Sequence, residues 1–144
     1  MKDPFNLDRF VLAQDPVYPD VIKELEAGYK QTHWMWFVFP QLDGLGVSSF
    51  ASFYGISGLD EAVAYLAHPV LGPRLEDCTH LVLNTTDRRL VDMFGADDVK
   101  FSASMTLFAE ATKNESSMFH TALNSLCQGL KHQKTLDLLY SHAQ

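Results

Sequence analysis

The stretch HWMWFVFPQ, His33 to Gln41, places two tryptophans, two phenylalanines, a methionine and a valine between a histidine and a glutamine. It has no amphipathic period: in a strand both faces would be apolar, and in a helix Trp34 and Trp36 would diverge by roughly 200°. A segment that is apolar on all sides must be covered on all sides. We therefore predict that this stretch is the central element of the core, and that any helix in it stops before Pro40.

A second interpretation gives the same stretch a function. A tryptophan can line a pocket and stack on a planar ligand, and a buried indole needs a partner for its N–H. In that case Trp34 or Trp36 would face a cleft, while the polar ends of the stretch, His33 and Gln41, would donate or accept hydrogen bonds. Both interpretations stay open at the level of sequence.

The rest of the chain is dominated by helical periodicity. Tyr18, Ile22, Leu25 and Tyr29 recur at steps of four, three and four, and similar stripes continue almost to the C-terminus. Alternating patterns typical of strands are absent outside the aromatic stretch. We predict a single all-α domain over residues 1–144, with about eight short helices. Its helical hairpins would pack as an irregular bundle or as a short α-horseshoe.

Helix ends can be predicted from capping residues. Asn6 is expected to cap the first helix, and Ser57 with Asp60 resembles a capping box. Asp87 is expected to open a short helix that Gly95 closes in a left-handed conformation. The stripe Leu71, Leu75, Cys78 and Val82 predicts one buried face of a helix that has Pro73 in its first turn.

Composition excludes several classes of protein. The chain has 144 residues, of which 47% are hydrophobic, and a formal net charge of −7 from 11 basic and 18 acidic residues. An acidic surface repels a phosphate backbone, so no nucleic-acid partner is expected. The N-terminus lacks the features of a signal or transit peptide, and no segment is long and apolar enough for a bilayer, so we expect a cytoplasmic protein without a membrane partner. Nothing in the sequence specifies an oligomeric state.

The segment KFSASMTLF, residues 100–108, is the second candidate for a site. Lys100 and Ser104 lie one helical turn apart, and Ser102 and Thr106 lie on a neighbouring line. Small hydroxyl residues on a helix either allow another helix to approach closely or line a polar pocket beneath Lys100. If these residues line a polar pocket, that pocket would lie between the Trp34 region and this helix.

Metal and cofactor motifs are missing. The six histidines form no pair at ligand spacing with supporting carboxylates, so no metal site is expected. GLGVSS, residues 44–49, follows no strand of a βαβ unit and lacks the lysine of a phosphate-binding loop, which makes it an ordinary turn. No cofactor is expected.

The order of motifs resembles a known family. FNLDRFVLAQ is followed by HWMWFVFPQLDGLG, FYGISGLDEAVAYLAHPVLGPRL, MFGADDVKFSASMTLFA and LDLL. In this order they are similar to a bacterial domain of unknown function that is sometimes labelled calpastatin, and the similarity runs over nearly the whole chain. The resemblance implies a compact all-α domain of helical hairpins. It implies no activity and no catalytic set.

Three functional hypotheses follow from these observations. The first is a binding module for a small anionic or planar, nucleotide-like ligand, held by His33, Trp34, Trp36, Gln41, Lys100, Ser102 and Ser104. The second is an enzyme of nucleotide or ADP-ribose metabolism that uses the same pocket, with His33 as the acid or base because histidine titrates near neutrality. The third is a scaffold whose helical surface binds a peptide.

Overall fold

A computed structural model describes residues 3–85 and 88–141. Within these ranges the chain forms ten α-helices: α1 (Asp8–Gln14), α2 (Tyr18–Ala27), α3 (Met35–Val38), α4 (Ser49–Phe53), α5 (Leu59–Ala67), α6 (Leu71–Leu83), α7 (Leu90–Phe94), α8 (Asp98–Thr112), α9 (Met118–Leu126) and α10 (Gln133–Tyr140). A 3-10 turn, Gly95–Asp97, joins α7 to α8. The all-α prediction is confirmed.

Four helices pack in a closed ring: α8 contacts α9 and α5, and α6 contacts both α5 and α9. The other elements add to this ring, with α2 against α6, α7 and α10 against α8, and α1 against α3. A horseshoe would instead stack each hairpin only on its neighbours. The fold is therefore the irregular bundle, and one hydrophobic core runs through it from Leu7 to Leu139.

The centre of this bundle is α8 rather than the aromatic stretch. The apolar residues Phe101, Met105 and Phe108 of α8 are fully buried. Other faces of its middle turns are buried as well, since Ala103, Ser104, Thr106 and Leu107 have almost no exposure. Alanine, serine and threonine are small enough for helices to approach α8 from several sides. The prediction that His33 to Gln41 forms the central element was wrong: only four of its residues become helical, and Trp36 and Phe37 keep partial exposure.

The first helix is capped by a residue other than the predicted one. Asn6 has a positive φ of 54°, so its side chain does not cap α1. Instead the carboxylate of Asp3 accepts the backbone N–H groups of Leu7 and Asp8 at 2.8 and 3.0 Å. A carboxylate at this position also complements the positive end of the helix dipole.

Other predicted helix ends have mixed outcomes. Ser57 does form a capping interaction, but its partner is Glu61 instead of Asp60: the Glu61 carboxylate accepts the Ser57 N–H at 2.8 Å and its hydroxyl at 2.9 Å. Gly95 ends α7 with a positive φ of +58°, as predicted, but its ψ of −133° lies outside the left-handed helical conformation that was expected. The predicted role of Asp87 falls outside the described residues.

A buried ion pair ties α1 to α5. Arg9 and Glu61 are 2.9 Å apart, and their side chains are only 9% and 4% exposed. The guanidinium of Arg9 also donates to the backbone carbonyls of Phe5, Asn6, Phe53 and Gly55. A desolvated charge is tolerated in a protein when it is paired and its donors are all used. Arg9 therefore fixes the path of the chain between α4 and α5.

The hairpin of α5 and α6 depends on a glycine. A Cβ atom built on Gly72 would lie 2.2 Å from the backbone oxygen of Leu66, which leaves no room for a side chain. This close approach directs the predicted stripe of α6 inward, and Leu71, Leu75, Cys78 and Val82 are buried as expected. In the part of the chain that the structure describes, no helix has the length and apolarity needed to cross a bilayer.

Candidate functional site

A cavity of about 280 Å³ lies on one side of α8. Its walls are the loop from Gln41 to Gly46, the α4 segment with Tyr54, one face of α8, and the first residues of α10. Ligand pockets in proteins commonly have volumes of about 300–1,000 Å³, so this cavity is at the small end of that range. It is open to solvent and is bounded by both sequence segments that were candidates for a site.

The loop that carries Gln41 is held by backbone hydrogen bonds. The N–H of Ile56 donates to the carbonyl of Gln41 at 2.9 Å, and the N–H of Asp43 donates to the carbonyl of Ile56 at 2.8 Å. These two bonds form an isolated parallel bridge centred on Leu42. The Gln41 side chain is thus placed at the cavity wall by backbone pairing.

The two indoles of the aromatic stretch have different environments. Trp34 is 1% exposed, and its Nε1–H donates to the Glu24 carboxylate at 3.0 Å. That carboxylate also accepts the backbone N–H groups of Gln31 and Thr32 and the Thr32 hydroxyl. Burial alone would raise the pKa of Glu24, but these hydrogen bonds lower it below its ordinary value. Trp34 is therefore a core residue with a satisfied donor.

Trp36 lines the cavity. Its ring is stacked on Phe50, with centroids 5.2 Å apart and planes inclined by 27°. The Trp36 side chain thus both stacks on Phe50 and forms part of the cavity lining. Tyr54 lines the cavity as well, and contacts with Phe37 and Phe53 fix its ring. Two held aromatic rings make this wall suitable for a planar group.

Lys100 also lines the cavity and belongs to a triad of charges. The Asp97 carboxylate contacts Lys30 Nζ at 3.0 Å and Lys100 Nζ at 3.1 Å. Burial by itself would raise the pKa of Asp97, but its hydrogen bonds with the two lysines lower it, so the carboxylate stays ionised. Two ammonium groups share one carboxylate, and the triad therefore carries a net positive charge beside the cavity.

The start of α10 contributes a histidine and a second lysine, His132 and Lys134. His132 is the N-cap of α10, because its Nδ1 accepts the N–H of Thr135 at 3.3 Å. Burial, and to a smaller extent the charge of Lys134, lowers the pKa of His132 below its ordinary value, which favours the neutral ring. Because Nδ1 accepts the N–H of Thr135, the proton of the neutral ring is placed on Nε2. Nε2 has no hydrogen-bond partner in the described ranges, which leaves it available to a ligand.

The charge of the cavity lining is opposite in sign to the net charge of the whole protein. Two lysines line it, and no aspartate or glutamate does so among the residues the structure describes. The chain as a whole has a net charge of −7. Clefts lined by charge of one sign concentrate ions of the other sign. The arrangement can bind an anion, and an apolar floor that includes Leu42 and Ala103 can cover an attached apolar group.

The structure brings together only some of the predicted site residues. Trp36, Gln41 and Lys100 line the cavity. His33 is exposed and lies outside its lining, and Trp34 is in the core. The remaining two are the serines of α8, Ser102 and Ser104, which also lie outside the lining.

Those serines point to other faces of α8. Ser102 forms a hydrogen bond with Cys127, which lowers the pKa of the thiol against a larger rise caused by burial. The Ser104 hydroxyl is fully buried and has no hydrogen-bond partner within the described part of the chain. Close packing, the alternative explanation for small hydroxyl residues, describes Ser104 here.

Sequence reasoning missed the contribution of α10. His132 and Lys134 are more than 30 residues from Lys100 and more than 90 from Trp36, and no local pattern connects them. The available signal was KHQK, residues 131–134, in which two lysines flank a histidine immediately before a helix. A basic cluster in an acidic chain can form one side of an anion site. The other sides of such a site come from elements that pack against it in the fold.

Metal binding has no support in the geometry. Across residues 3–85 and 88–141, no group of three or more histidine, cysteine, aspartate or glutamate side chains could hold a metal ion. Three histidines make local hydrogen bonds near helix starts instead. Nδ1 of His68 accepts the N–H groups of Val70 and Leu71, and Nδ1 of His132 accepts that of Thr135. Nδ1 of His120 is hydrogen-bonded to the Ser117 hydroxyl.

Fold and cavity together define an all-α bundle with a small basic cavity beside its central helix. The chain belongs to the family described as a protein of unknown function (DUF1810), whose model matches residues 4–139. It is also similar to the conserved hypothetical protein Rv1873 from Mycobacterium tuberculosis, known from a crystal structure. The two share 53% sequence identity with a TM-score of 0.92, over 95% of this chain and 98% of that one. No curated protein matches the chain.

Proposed function

We propose that this protein binds a small anionic ligand in the cavity between Trp36, Lys100 and Lys134. The observation that carries the proposal is the charge of the lining: two lysines and a histidine donor, without a carboxylate among the described lining residues, in a chain of net charge −7. Asp97 pairs with both Lys100 and Lys30 and offsets only one of their two charges, so positive charge stays in excess beside the cavity. Binding of an anion would explain the positive charge of the cavity lining.

The test is a thermal-shift screen with nucleotides, phosphorylated metabolites and aromatic acids. A ligand at a hundredfold excess over its dissociation constant stabilises a protein by about 2.7 kcal/mol. For a domain of this size that corresponds to a rise in Tm of roughly 5–11 °C. The double variant Lys100→Gln/Lys134→Gln should lose the shift.

Lys23→Gln is the matched control, because Lys23 is exposed on α2 and lies outside the cavity lining. It removes one positive charge and should keep the shift. If no anion raises the Tm of the parent, or if the double variant responds as the parent does, the proposal is wrong.

An enzyme that uses the same cavity is the second candidate, and His132 is the observation that favours it. The acid or base that the sequence suggested, His33, lies outside the cavity lining, whereas His132 lines it and has Nε2 free. His132→Asn separates binding from turnover, because asparagine also caps helices well and should keep α10 folded. Retained affinity with lost turnover supports an enzyme; a parent protein that converts none of its ligands is a binding module.

A further inference from the structure

We infer that the ligand is an aromatic acid of one or two rings, with its ring against Trp36 and Tyr54 and its carboxylate or phosphate near Lys100 and Lys134. This inference rests on the proposed function and narrows it to one class of ligand. It depends on three features of the cavity: the residue types of its lining, the presence of both aromatic rings and positive charges, and its volume.

The lining combines two aromatic rings with short side chains. The rings of Trp36 and Tyr54 are both held by neighbouring aromatic side chains. From α8 and the turn before it come Ala96, Val99 and Ala103, which are small or aliphatic. Short side chains in the same lining leave space for a planar ring, and an aromatic ring gains affinity from contact with another.

The charged groups of the cavity and its aromatic rings belong to different elements of the fold. Lys100 is on α8 and Lys134 is on α10, while both rings belong to residues 36–54. A ligand that contacts both sets needs an apolar flat part and an anionic part. His132 adds a neutral donor through Nε2, which can bind an oxygen of the acid group or of a ring substituent.

The volume limits the size of the ligand. At about 280 Å³ the cavity lies at the small end of the range of about 300–1,000 Å³ that is common for ligand pockets, so the part of a ligand that it encloses is small. That space holds one or two fused rings with an acid group. A complete nucleotide would have to extend its sugar or its phosphates into solvent, where the protein contributes little to affinity.

The experiment measures dissociation constants for matched probes by saturation-transfer NMR. Benzoate and phenyl phosphate carry both features, benzamide lacks the charge, cyclohexanecarboxylate lacks the planar ring, and adenosine monophosphate exceeds the cavity. We expect the two aromatic acids to bind about tenfold tighter than benzamide and cyclohexanecarboxylate. Trp36→Ala should remove the preference for benzoate over cyclohexanecarboxylate, while Trp36→Phe, which keeps a ring, should retain most of it.

The outcomes separate this inference from the proposed function. If cyclohexanecarboxylate binds as tightly as benzoate, and Lys134→Gln weakens both, the anion site stands and the aromatic class is wrong. If adenosine monophosphate binds tenfold tighter than either aromatic acid, the size argument fails and the ligand is a nucleotide. If no anion of the panel binds, both proposals are wrong.

Discussion

Replacing Glu24 tests how the aromatic stretch is held in place. Its carboxylate accepts four hydrogen bonds, from the backbone of Gln31 and Thr32, the Thr32 hydroxyl and the indole of Trp34. In Glu24→Ala the indole N–H has no partner in a site that is 1% exposed, which costs about 1–3 kcal/mol. The two exposed loop residues can turn to water and lose less.

We therefore expect Glu24→Ala to lower the free energy of unfolding by about 3 kcal/mol. For a domain of this size the corresponding fall in Tm is roughly 6–12 °C. Glu24→Gln keeps an acceptor for the indole and loses only the charge, so its cost should be about 1 kcal/mol. Urea denaturation measures both values, and Glu26→Ala, an exposed position on the same helix, is the control with a change below about 0.5 kcal/mol.

The pH dependence of the stability of these proteins gives a second test of the role of Glu24. Because the hydrogen bonds lower the pKa of Glu24 in the folded protein, its stabilising effect is complete above the unfolded-state pKa of about 4.3. The effect is lost as the pH falls through the lower, folded-state pKa. The difference in stability between the parent and Glu24→Gln should be constant from about pH 7 to pH 5 and shrink below about pH 4. A Glu24→Ala protein as stable as Glu26→Ala would refute the reasoning.

Three further changes test the packing. Arg9→Met leaves a buried carboxylate without its partner and should cost about 3–5 kcal/mol in urea unfolding, so a loss below about 1 kcal/mol would contradict the buried pair. Gly72→Ala should destabilise the protein by more than about 2 kcal/mol because its Cβ meets backbone, whereas Gly58→Ala, with open space around its Cβ, should change thermal stability little. Ser104→Ala removes a buried hydroxyl without a partner, so its Tm should stay the same or rise, and a clear fall would indicate a hydrogen bond to that hydroxyl.

Helix content could be predicted from the sequence because local signals determine it. The four-residue stripe of α6 and the glycine end of α7 depend on residues close in the chain. The centre of the bundle could not be predicted in this way. Hydrophobicity marked His33 to Gln41, but α8 became the centre because its alanine and hydroxyl residues admit neighbouring helices on several sides. Composition alone does not distinguish a polar face from a closely packed one.

The candidate site was predictable in part for the same reason. Trp36, Gln41 and Lys100 belonged to segments with unusual composition, and all three line the cavity. His132 and Lys134 reach it only through the packing of α10 against α8, a contact between residues distant in sequence. His33 was a reasonable candidate for acid or base chemistry by residue type. His33 is exposed because of the path of the loop before α3, and the sequence does not specify that path.

The most direct test of the cavity as an anion site is amide chemical-shift mapping with phenyl phosphate. The affected amides should cluster in residues 41–46, 96–103 and 132–135, which form the walls of the cavity. Lys100→Gln/Lys134→Gln should abolish the changes at the same ligand concentration, and Lys23→Gln should preserve them. Shifts that are absent, that are scattered over the surface, or that persist unchanged in the double variant would contradict the assignment of this cavity as the binding site.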